Sequence, residues 1–226
     1  MAKSLFEQYR PATLAEVVGQ SSAMDTIGIW KKRGMTGRAC LVTGSSGTGK
    51  TTICRAIARE NCDEIAIREI DAGEMTESTA KEEIRRLMPL ALFGAKQGRC
   101  LIVNEFHRMR KDVVGQFLTL MEPDNGGIPD HVLILFTSTS DGLEQFEDKF
   151  DAKPFISRCN ELRLARRGIA EPFAQRAAEI AITEGLAPDG ATIDTILPKC
   201  IRLAKDNANN LRKMLCHIED GALLAN

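Results

Sequence analysis

The sequence lacks the features that would assign it to a membrane, a secreted or a repetitive protein. No stretch of the 226 residues approaches the roughly 18 consecutive apolar residues that a membrane-spanning helix needs. The N-terminal segment has no apolar core of the signal-peptide kind. Internal repeats and low-complexity tracts are also absent. We therefore expect a globular protein without a membrane partner, located in the cytoplasm, or in the nucleus if the organism is a eukaryote.

A cysteine pattern typical of zinc sites or disulfides is missing as well. The chain has seven cysteines, an odd number, and no two of them are spaced as C-x-x-C. Most lie among apolar neighbours, as Cys40 does between Ala39 and Leu41. This pattern predicts small buried thiols in a reducing compartment rather than metal ligands or disulfides.

The sequence also lacks a surplus of positive charge. It contains 30 basic and 31 acidic residues, which gives a formal net charge of −1. A protein that binds DNA on its own usually has a basic surplus. Short basic clusters occur at residues 31–33 and 166–167, and we interpret each as a solvated surface. If DNA is bound, we expect several subunits to share the contact.

Hydrophobic runs predict an α/β domain over residues 1–163. Four runs indicate strands: Ala39–Thr43, Ile65–Ile70, Cys100–Val103 and His131–Thr137. Between them, helical spacing is found at Thr51–Asn61, Thr79–Leu92 and Lys111–Met121. Strands that alternate with helices predict a parallel sheet with helices on both faces, and continuous apolar strands fit burial on both faces. The expected fold is a three-layer α/β/α domain.

Residues 164–226 are predicted to form a second, small, all-helical domain. Helical patterns cover Ile169–Glu184, Ala191–Ala204 and Asn207–Leu224. Pro198 lies within the second of these, and we expect it to kink or split that helix. The charged segment Asp141–Lys153 holds no strand-like run and is interpreted as the connection between the two domains.

Residues 44–51 form a phosphate-binding motif. Their sequence, Gly-Ser-Ser-Gly-Thr-Gly-Lys-Thr, matches G-x-x-x-x-G-K-[ST] between an apolar strand and a helix, which is the setting that the motif requires. The backbone N–H groups and the helix N-terminus face phosphate oxygens, Lys50 adds a positive charge, and Thr51 offers a hydroxyl to Mg²⁺. We expect ATP or ADP to bind here with Mg²⁺. The alternative is that the match is a glycine-rich turn that arose by chance. The predicted ligands are Gly44, Ser45, Ser46, Gly47, Thr48, Gly49, Lys50, Thr51 and Thr52.

An acidic residue at the end of the Cys100–Val103 run completes the predicted site. Glu105 is expected to lie beside the γ-phosphate and to activate the attacking water. The preceding residue is usually an aspartate that holds the Mg²⁺ shell, and here it is Asn104. An amide oxygen accepts a hydrogen bond from metal-bound water but carries no negative charge, whereas Mg²⁺ favours carboxylate and phosphate oxygens. We therefore expect nucleotide binding with weak hydrolysis by the chain alone.

The N-terminal residues resemble the opening of clamp-loader small subunits. Residues 6–11, Phe-Glu-Gln-Tyr-Arg-Pro, and residues 14–20, Leu-Ala-Glu-Val-Val-Gly-Gln, are similar to the Y-R-P-x-x-x-x-[DE]-V-V-G-Q stretch that wraps the adenine in those proteins. The family, a branch of the AAA+ ATPases, includes replication factor C small subunits and their bacterial and phage counterparts. The resemblance implies that the nucleotide is also contacted by Tyr9, Arg10, Pro11, Val17 and Val18.

Residues 157–159, Ser-Arg-Cys, resemble the S-R-C motif of the same family. There the arginine reaches the γ-phosphate of ATP bound by the neighbouring subunit, where a guanidinium stabilises the charge of the transition state. The resemblance implies that Arg158 acts in trans. The alternative is a surface arginine before a buried cysteine.

Two further positions resemble the phosphate sensors of the family. Residues 210–215, Asn-Leu-Arg-Lys-Met-Leu, are similar to the sensor-2 helix, which implies that Arg212 contacts phosphate from the lid. A helix arginine that faces solvent is the alternative. Thr139 falls where the family places its sensor-1 polar residue, and Ser138 is the second candidate for that role.

The resemblance covers nearly the whole chain and implies a subunit of a DNA clamp loader. Such a subunit would assemble with other AAA+ clamp-loader subunits and couple ATP to loading of a sliding clamp onto primer–template DNA, at the nucleoid or in the nucleus. The family normally continues into a helical collar, which we expect to be lacking because the sequence ends at Asn226. Two alternatives stay open: an ATP-binding regulatory subunit with little turnover, and another AAA+ ATPase of DNA metabolism that acts in helicase loading, Holliday-junction work or fork maintenance.

Overall fold

Five strands form a single parallel sheet in the computed structural model, which describes residues 3–90, 94–149 and 152–224. The strands are β1 (Arg38–Thr43), β2 (Ile67–Asp71), β3 (Arg99–Asn104), β4 (Val132–Ser138) and β5 (Asn160–Arg163). Their order across the sheet is β2-β3-β4-β1-β5, and every described pair is parallel. The carboxyl ends of the central strands therefore meet at one edge, where ligands bind in open α/β sheets.

Helices cover both faces of this sheet. The helices of the first part are α1 (Leu5–Gln8), α2 (Ser21–Arg33), α3 (Lys50–Asn61), α4 (Glu77–Leu87), α5 (Lys111–Met121), α6 (Ser140–Lys149) and α7 (Lys153–Ile156). Apolar residues of α2 and α3 pack on one face, and those of α4 to α7 pack on the other. All seven residues of β4 are buried, as the continuous apolar run predicts. The predicted three-layer α/β/α fold is confirmed.

The C-terminal part is helical, as predicted, and has its own apolar core. It consists of α8 (Ala170–Thr183), α9 (Ile193–Asp206) and α10 (Leu211–Glu219). The same core takes in Leu5 of α1, whose backbone N–H donates a hydrogen bond of 2.7 Å to Glu219 Oε1. The N-terminal segment thus packs against the helical part. The domain boundary between residues 163 and 164 stays a prediction.

The segment interpreted as a connection differs from the prediction. Residues 140–149 form α6, and α7 follows, while residues 150 and 151 lie outside the described part of the chain. The sequence analysis also missed β5. This strand lies at the edge of the sheet and buries only Leu162 of its four residues, so that it has no apolar run to reveal it.

Pro198 does not split its helix, and the other expected outcome, a kink, stays a prediction. Helix α9 continues from Ile193 to Asp206 with Pro198 inside it. Proline cannot donate to the carbonyl four residues earlier, that of Asp194. Both residues are exposed, so that water can satisfy this carbonyl. The helix is continuous because its opposite face buries Ile196, Cys200 and Ala204 in the C-terminal core.

Several other element bounds shift by a few residues. The predicted strand Ile65–Ile70 begins two residues later, because residues 64–66 form a 3₁₀ turn that leaves Ile65 84% exposed. Helix α4 ends at Leu87, and the predicted positions 91 and 92 lie outside the described residues. The last helix begins at Leu211, since Ala208 and Asn209 have left-handed backbone conformations that exclude a helix.

Candidate functional site

The predicted phosphate-binding loop connects β1 to α3 at the carboxyl edge of the sheet. Gly49 has a φ of 98° and lies at the N-cap of α3, which leaves the first N–H groups of this helix without helical partners. Gly47 has a φ of 77° and approaches Asn210 of the helical part so closely that a Cβ would lie 2.0 Å from its Oδ1. The loop is thus a backbone cradle that fits an anion such as phosphate.

Lys50 is buried in this loop and points back over it. Its ammonium donates hydrogen bonds to the carbonyls of Gly44, at 3.0 Å, and Ser45, at 3.1 Å. Burial lowers the pKa of Lys50, and the nearby Glu105 carboxylate opposes that shift while Arg212 adds to it. A buried ammonium with neutral hydrogen-bond partners is well placed to accept the negative charge of a nucleotide.

Thr51 and Asn104 meet where the first turn of α3 faces the end of β3. The hydroxyl of Thr51 donates to Asn104 Oδ1 at 3.0 Å. The same oxygen accepts from Thr137 of β4 at 3.1 Å, and Asn104 Nδ2 donates to Glu69 of β2 at 2.7 Å. The structure therefore brings together the two residues predicted to face Mg²⁺. Thr137 and Glu69 were not predicted.

Glu105 follows β3 in an unusual backbone conformation. Its φ of 54° and ψ of 48° place it in the left-handed region, which costs a residue other than glycine about 1–3 kcal/mol. Its N–H donates to the hydroxyl of Thr137 at 3.2 Å, and its Oε2 lies 3.4 Å from Nε2 of His107. Strain of this kind is common at functional sites.

The phosphate loop opens into a cleft between the N-terminal segment and the helical part. The cleft encloses about 740 Å³ of empty space, part of it open to solvent. Its lining combines the predicted adenine contacts Tyr9, Arg10, Pro11, Val17 and Val18 with Gly47, Thr48, Gly49 and Thr52 of the loop and with Arg212. An apolar cleft that adjoins an anion cradle fits a nucleotide, with the base in the cleft.

The two predicted sensors differ in their placement. Arg212 lines the cleft from α10, with its guanidinium 5.3 Å from the centroid of the Phe6 ring. Thr139 Oγ1 instead accepts from the N–H of Gly142 at 3.1 Å, in the first turn of α6. Ser138, the second candidate, contacts Nδ1 of His107 at 3.1 Å. Among the described contacts, Thr137 is the residue of β4 that reaches Asn104 and Glu105.

Arg158 is exposed in the turn after α7. Its guanidinium donates to the carbonyl of Pro154 at 2.8 Å. In the described part of the chain, no hydrogen bond or ion pair connects it to residues 44–52. The action of Arg158 in trans stays a prediction, and its exposure leaves it accessible to a neighbouring subunit.

Two other residues around the cleft were missed by the sequence analysis. Arg176 of α8 lines the cleft and lies 5.9 Å from the centroid of the Tyr9 ring. Buried Gln20 joins the loop to the start of the helical part, since its amide donates to the carbonyls of Thr48 and Ala165 and accepts from the N–H of Ala165. Gln20 falls within the N-terminal string, and this could have singled it out, whereas Arg176 has no local pattern around it.

The donor set at Thr51 and Asn104 fits a magnesium ion that arrives with a nucleotide. A hydroxyl and an amide oxygen are hard ligands of the type that Mg²⁺ accepts. Within the described residues, no group of three or more His, Cys, Asp or Glu side chains could hold a metal ion. The remaining ligands would therefore come from phosphates and water, as is usual for Mg²⁺.

The chain belongs to the AAA family of ATPases. Residues 40–158, just over half of the chain, match the sequence profile of the ATPase family associated with various cellular activities (AAA). The matched range includes the phosphate loop, Asn104 and Glu105, and it ends at Arg158. Family membership and the P-loop fold together identify a nucleotide-binding ATPase domain.

Curated relatives include proteins of DNA replication and recombination. The chain is 29% identical over 160 residues to DNA polymerase III subunit tau of Escherichia coli. This alignment covers 60% of this chain and 24% of that protein. It is 26% identical over 174 residues to the replication factor C large subunit of Pyrobaculum aerophilum, with 68% and 38% covered. A third relative, the Holliday junction branch migration complex subunit RuvB of Nocardioides sp., is 33% identical over 119 residues, with 50% and 30% covered.

Solved structures agree with the fold. The Thermotoga maritima RuvB Holliday junction branch migration motor matches with a TM-score of 0.59 and 22% identity, over 94% of this chain and 72% of that one. The chain spans about a quarter of the length of the DNA polymerase III tau and gamma/tau relatives. In the described part of the chain, no helix is long and apolar enough to cross a membrane.

Proposed function

We propose that this chain is the ATPase part of a clamp-loader-type subunit in DNA replication. Three things support this: the Y-R-P opening that lines the cleft, the Ser-Arg-Cys turn with its exposed arginine, and the likeness to DNA polymerase III tau and replication factor C proteins. The observation that carries the proposal is the cleft, because the N-terminal string, the phosphate loop and the lid all contribute to its lining.

In this proposal ATP is the substrate, and each side chain has a defined part in its hydrolysis. Lys50 binds the phosphates, and Arg212 contacts them from the lid. Thr51 and Asn104 would hold Mg²⁺, which supplies positive charge to the transferred phosphoryl group. Glu105 orients the attacking water and accepts its proton, and Arg158 of a neighbouring subunit stabilises the transition-state charge. The products are ADP and inorganic phosphate.

The subunit would act within a ring of related ATPase subunits. Its expected partners are those subunits, a sliding clamp and primer–template DNA, at the nucleoid or in the nucleus. The balance of charge agrees with DNA contacts shared among subunits. Because Asn104 brings no charge to the metal, the proposal includes slow ATP turnover by the chain alone. In the extreme case the chain is a regulatory subunit that binds ATP and hydrolyses little of it.

Co-purification with a ring-shaped clamp protein from the same organism tests the proposal. We expect the clamp to be retained with ATP and released with ADP, and we expect clamp and primed DNA to raise the rate of phosphate release. Retention that does not respond to the nucleotide would contradict the proposal.

Another AAA ATPase of DNA metabolism is the second candidate, and the likeness to RuvB proteins favours it. Such a protein would respond to a different DNA substrate. If a four-way junction raises the ATPase rate while clamp and primed DNA leave it unchanged, the second candidate replaces the first.

A further inference from the structure

The geometry points to Glu69 as a positioning residue for the magnesium side of the site: its carboxylate fixes the orientation of the Asn104 amide. This inference rests on the proposed function, because it concerns the same site. Glu69 of β2 pairs with Ile102 of β3, and Asn104 lies two residues further along β3 on the same face of the sheet. The two side chains are therefore diagonal neighbours.

The hydrogen bonds around Asn104 fix which end of its amide faces the phosphate loop. An ionised carboxylate can only accept hydrogen bonds, whereas a threonine hydroxyl can donate or accept. Among the described partners of Asn104, Glu69 is the one that can only accept, and it therefore sets the orientation. The amide nitrogen faces Glu69 at 2.7 Å, and Oδ1 is left to face Thr51 and Thr137. Oδ1 is the atom that the magnesium role of Asn104 requires.

Glu69 is itself held by Arg55 of α3. The guanidinium donates from Nε to Oε2 at 2.6 Å and from Nη2 to Oε1 at 3.0 Å. This pair raises the pKa of Arg55. Arg55 lies four residues after Thr51, on the same face of α3. One helix therefore carries both the hydroxyl that faces Asn104 and the cation that holds Glu69.

The carboxylate nearest to Asn104 in register does not compete for this role. Asp71 is the direct partner of Asn104 in the β2–β3 ladder. Its Oδ1 accepts from the N–H of Gly73 at 2.7 Å, and its carboxylate pairs with Arg108 at 3.3 Å. Asp71 therefore turns away from the amide. It offers a matched control on the same strand.

A double-mutant cycle separates positioning from a structural role. The four proteins are the wild type, Glu69→Gln, Asn104→Asp and the double variant. Calorimetry measures the affinity of each for a non-hydrolysable ATP analogue, once with Mg²⁺ and once with EDTA, and the ratio of the two affinities isolates the metal-dependent part. We expect Glu69→Gln to lower this ratio by about tenfold, because removal of an outer partner of a metal ligand typically has an effect of that order. The affinity in EDTA should stay unchanged.

In the Asn104→Asp background the effect of Glu69→Gln should reverse its sign. An aspartate has two equivalent oxygens and needs no orienting partner, and beside Glu69 it forms a like-charge pair that disfavours the site. Glu69→Gln removes that repulsion and lets the new amide donate to the aspartate. The double variant should therefore show a higher ratio than Asn104→Asp alone.

Asp71→Asn removes a carboxylate from the same strand and should leave the ratio at its wild-type value. Thermal unfolding of every variant checks that the fold is retained. A Glu69→Gln effect of the same direction in both backgrounds, or an equal effect of Asp71→Asn, would show that Glu69 only stabilises the strand. If the wild type gains nothing from Mg²⁺, the proposed function fails and the inference with it. If the wild type responds to Mg²⁺ and Glu69→Gln has the same affinity ratio as the wild type, the inference is wrong while the proposed function stands.

Discussion

At the residue scale, the Lys50 side chain is already held over the phosphate loop by two backbone carbonyls. Among the described contacts, its ammonium has hydrogen bonds only to the carbonyls of Gly44 and Ser45. Phosphate oxygens would replace these partial charges with full ones. We expect Lys50→Ala to weaken ATP binding by about 1.5–3 kcal/mol, the usual value of a hydrogen bond to a charged group.

Calorimetric titration with ATP and Mg²⁺ measures this loss. Lys81→Ala is the matched control, since Lys81 is an exposed lysine of α4 paired with Glu77. Equal affinities for wild type and Lys50→Ala would show that the loop is not the phosphate site.

Glu105 is the residue at which binding and turnover should separate. Its side chain is expected to act on water, whereas its strained backbone is held by the hydroxyl of Thr137. We expect Glu105→Gln to retain ATP affinity and to lower the rate of phosphate release by about 10²–10⁴-fold, as for loss of a general base. Steady-state assays of phosphate release at saturating ATP give the rate.

Glu144→Gln on the exposed side of α6 provides the control for this substitution. Loss of ATP affinity in parallel with turnover would assign Glu105 to binding, and the proposed role would then be wrong.

The contact between the phosphate loop and α10 matters most at the scale of elements. Asn210 caps α10 by accepting from the N–H of Lys213 at 3.1 Å, and it is buried against Gly47. A methyl group on residue 47 would overlap Asn210. An alanine there would also have to adopt a left-handed backbone conformation, at a cost of about 1–2 kcal/mol. We expect Gly47→Ala to lower both the midpoint of thermal unfolding and the affinity for ATP.

Gly28→Ala in α2 tests whether this effect depends on position. Nothing lies within 4 Å of a Cβ at Gly28, and a helical glycine gains up to about 1 kcal/mol on replacement by alanine. Gly28→Ala should therefore unfold at the wild-type temperature or above it. A Gly47→Ala protein with wild-type stability and affinity would mean that the loop and the lid separate freely.

The elements that could be predicted from sequence are those with local signals. The helix α5 has the predicted bounds Lys111–Met121, and the phosphate loop has a contiguous motif. By contrast, β5 contains a single buried residue, and its position depends on pairing with β1. The role inferred for Glu69 depends on strand register and on a partner 35 residues away, so that no local pattern marks it.

At the scale of the whole molecule, the role proposed for Arg158 would require a neighbouring subunit. Arg158 is exposed, and it is separate from its own phosphate loop in the described contacts. We expect Arg158→Ala subunits mixed with Lys50→Ala subunits to recover part of the ATPase rate that each lacks alone. An interface between the two can then contain one intact loop and one intact arginine.

Malachite-green assays on the mixtures measure the recovered rate, and native mass spectrometry confirms that the subunits mix. Arg202→Ala is the control, since Arg202 is an exposed arginine of α9 whose side chain is 86% accessible. Confirmed mixing without recovery would exclude Arg158 from the shared site.

The contact between α1 and α10 has a mechanical consequence. Leu5 and Glu219 lie near opposite ends of the described chain, yet they are joined by a hydrogen bond and a shared core. A force applied between those two positions therefore reaches this contact before it reaches the central strands of the sheet. In an optical trap we expect a small early extension as α1 leaves the helical part, and then a larger one as the sheet unfolds. Bound ATP should raise the force of the first event, because Phe6, Tyr9 and Arg212 line the same cleft from both sides of the contact.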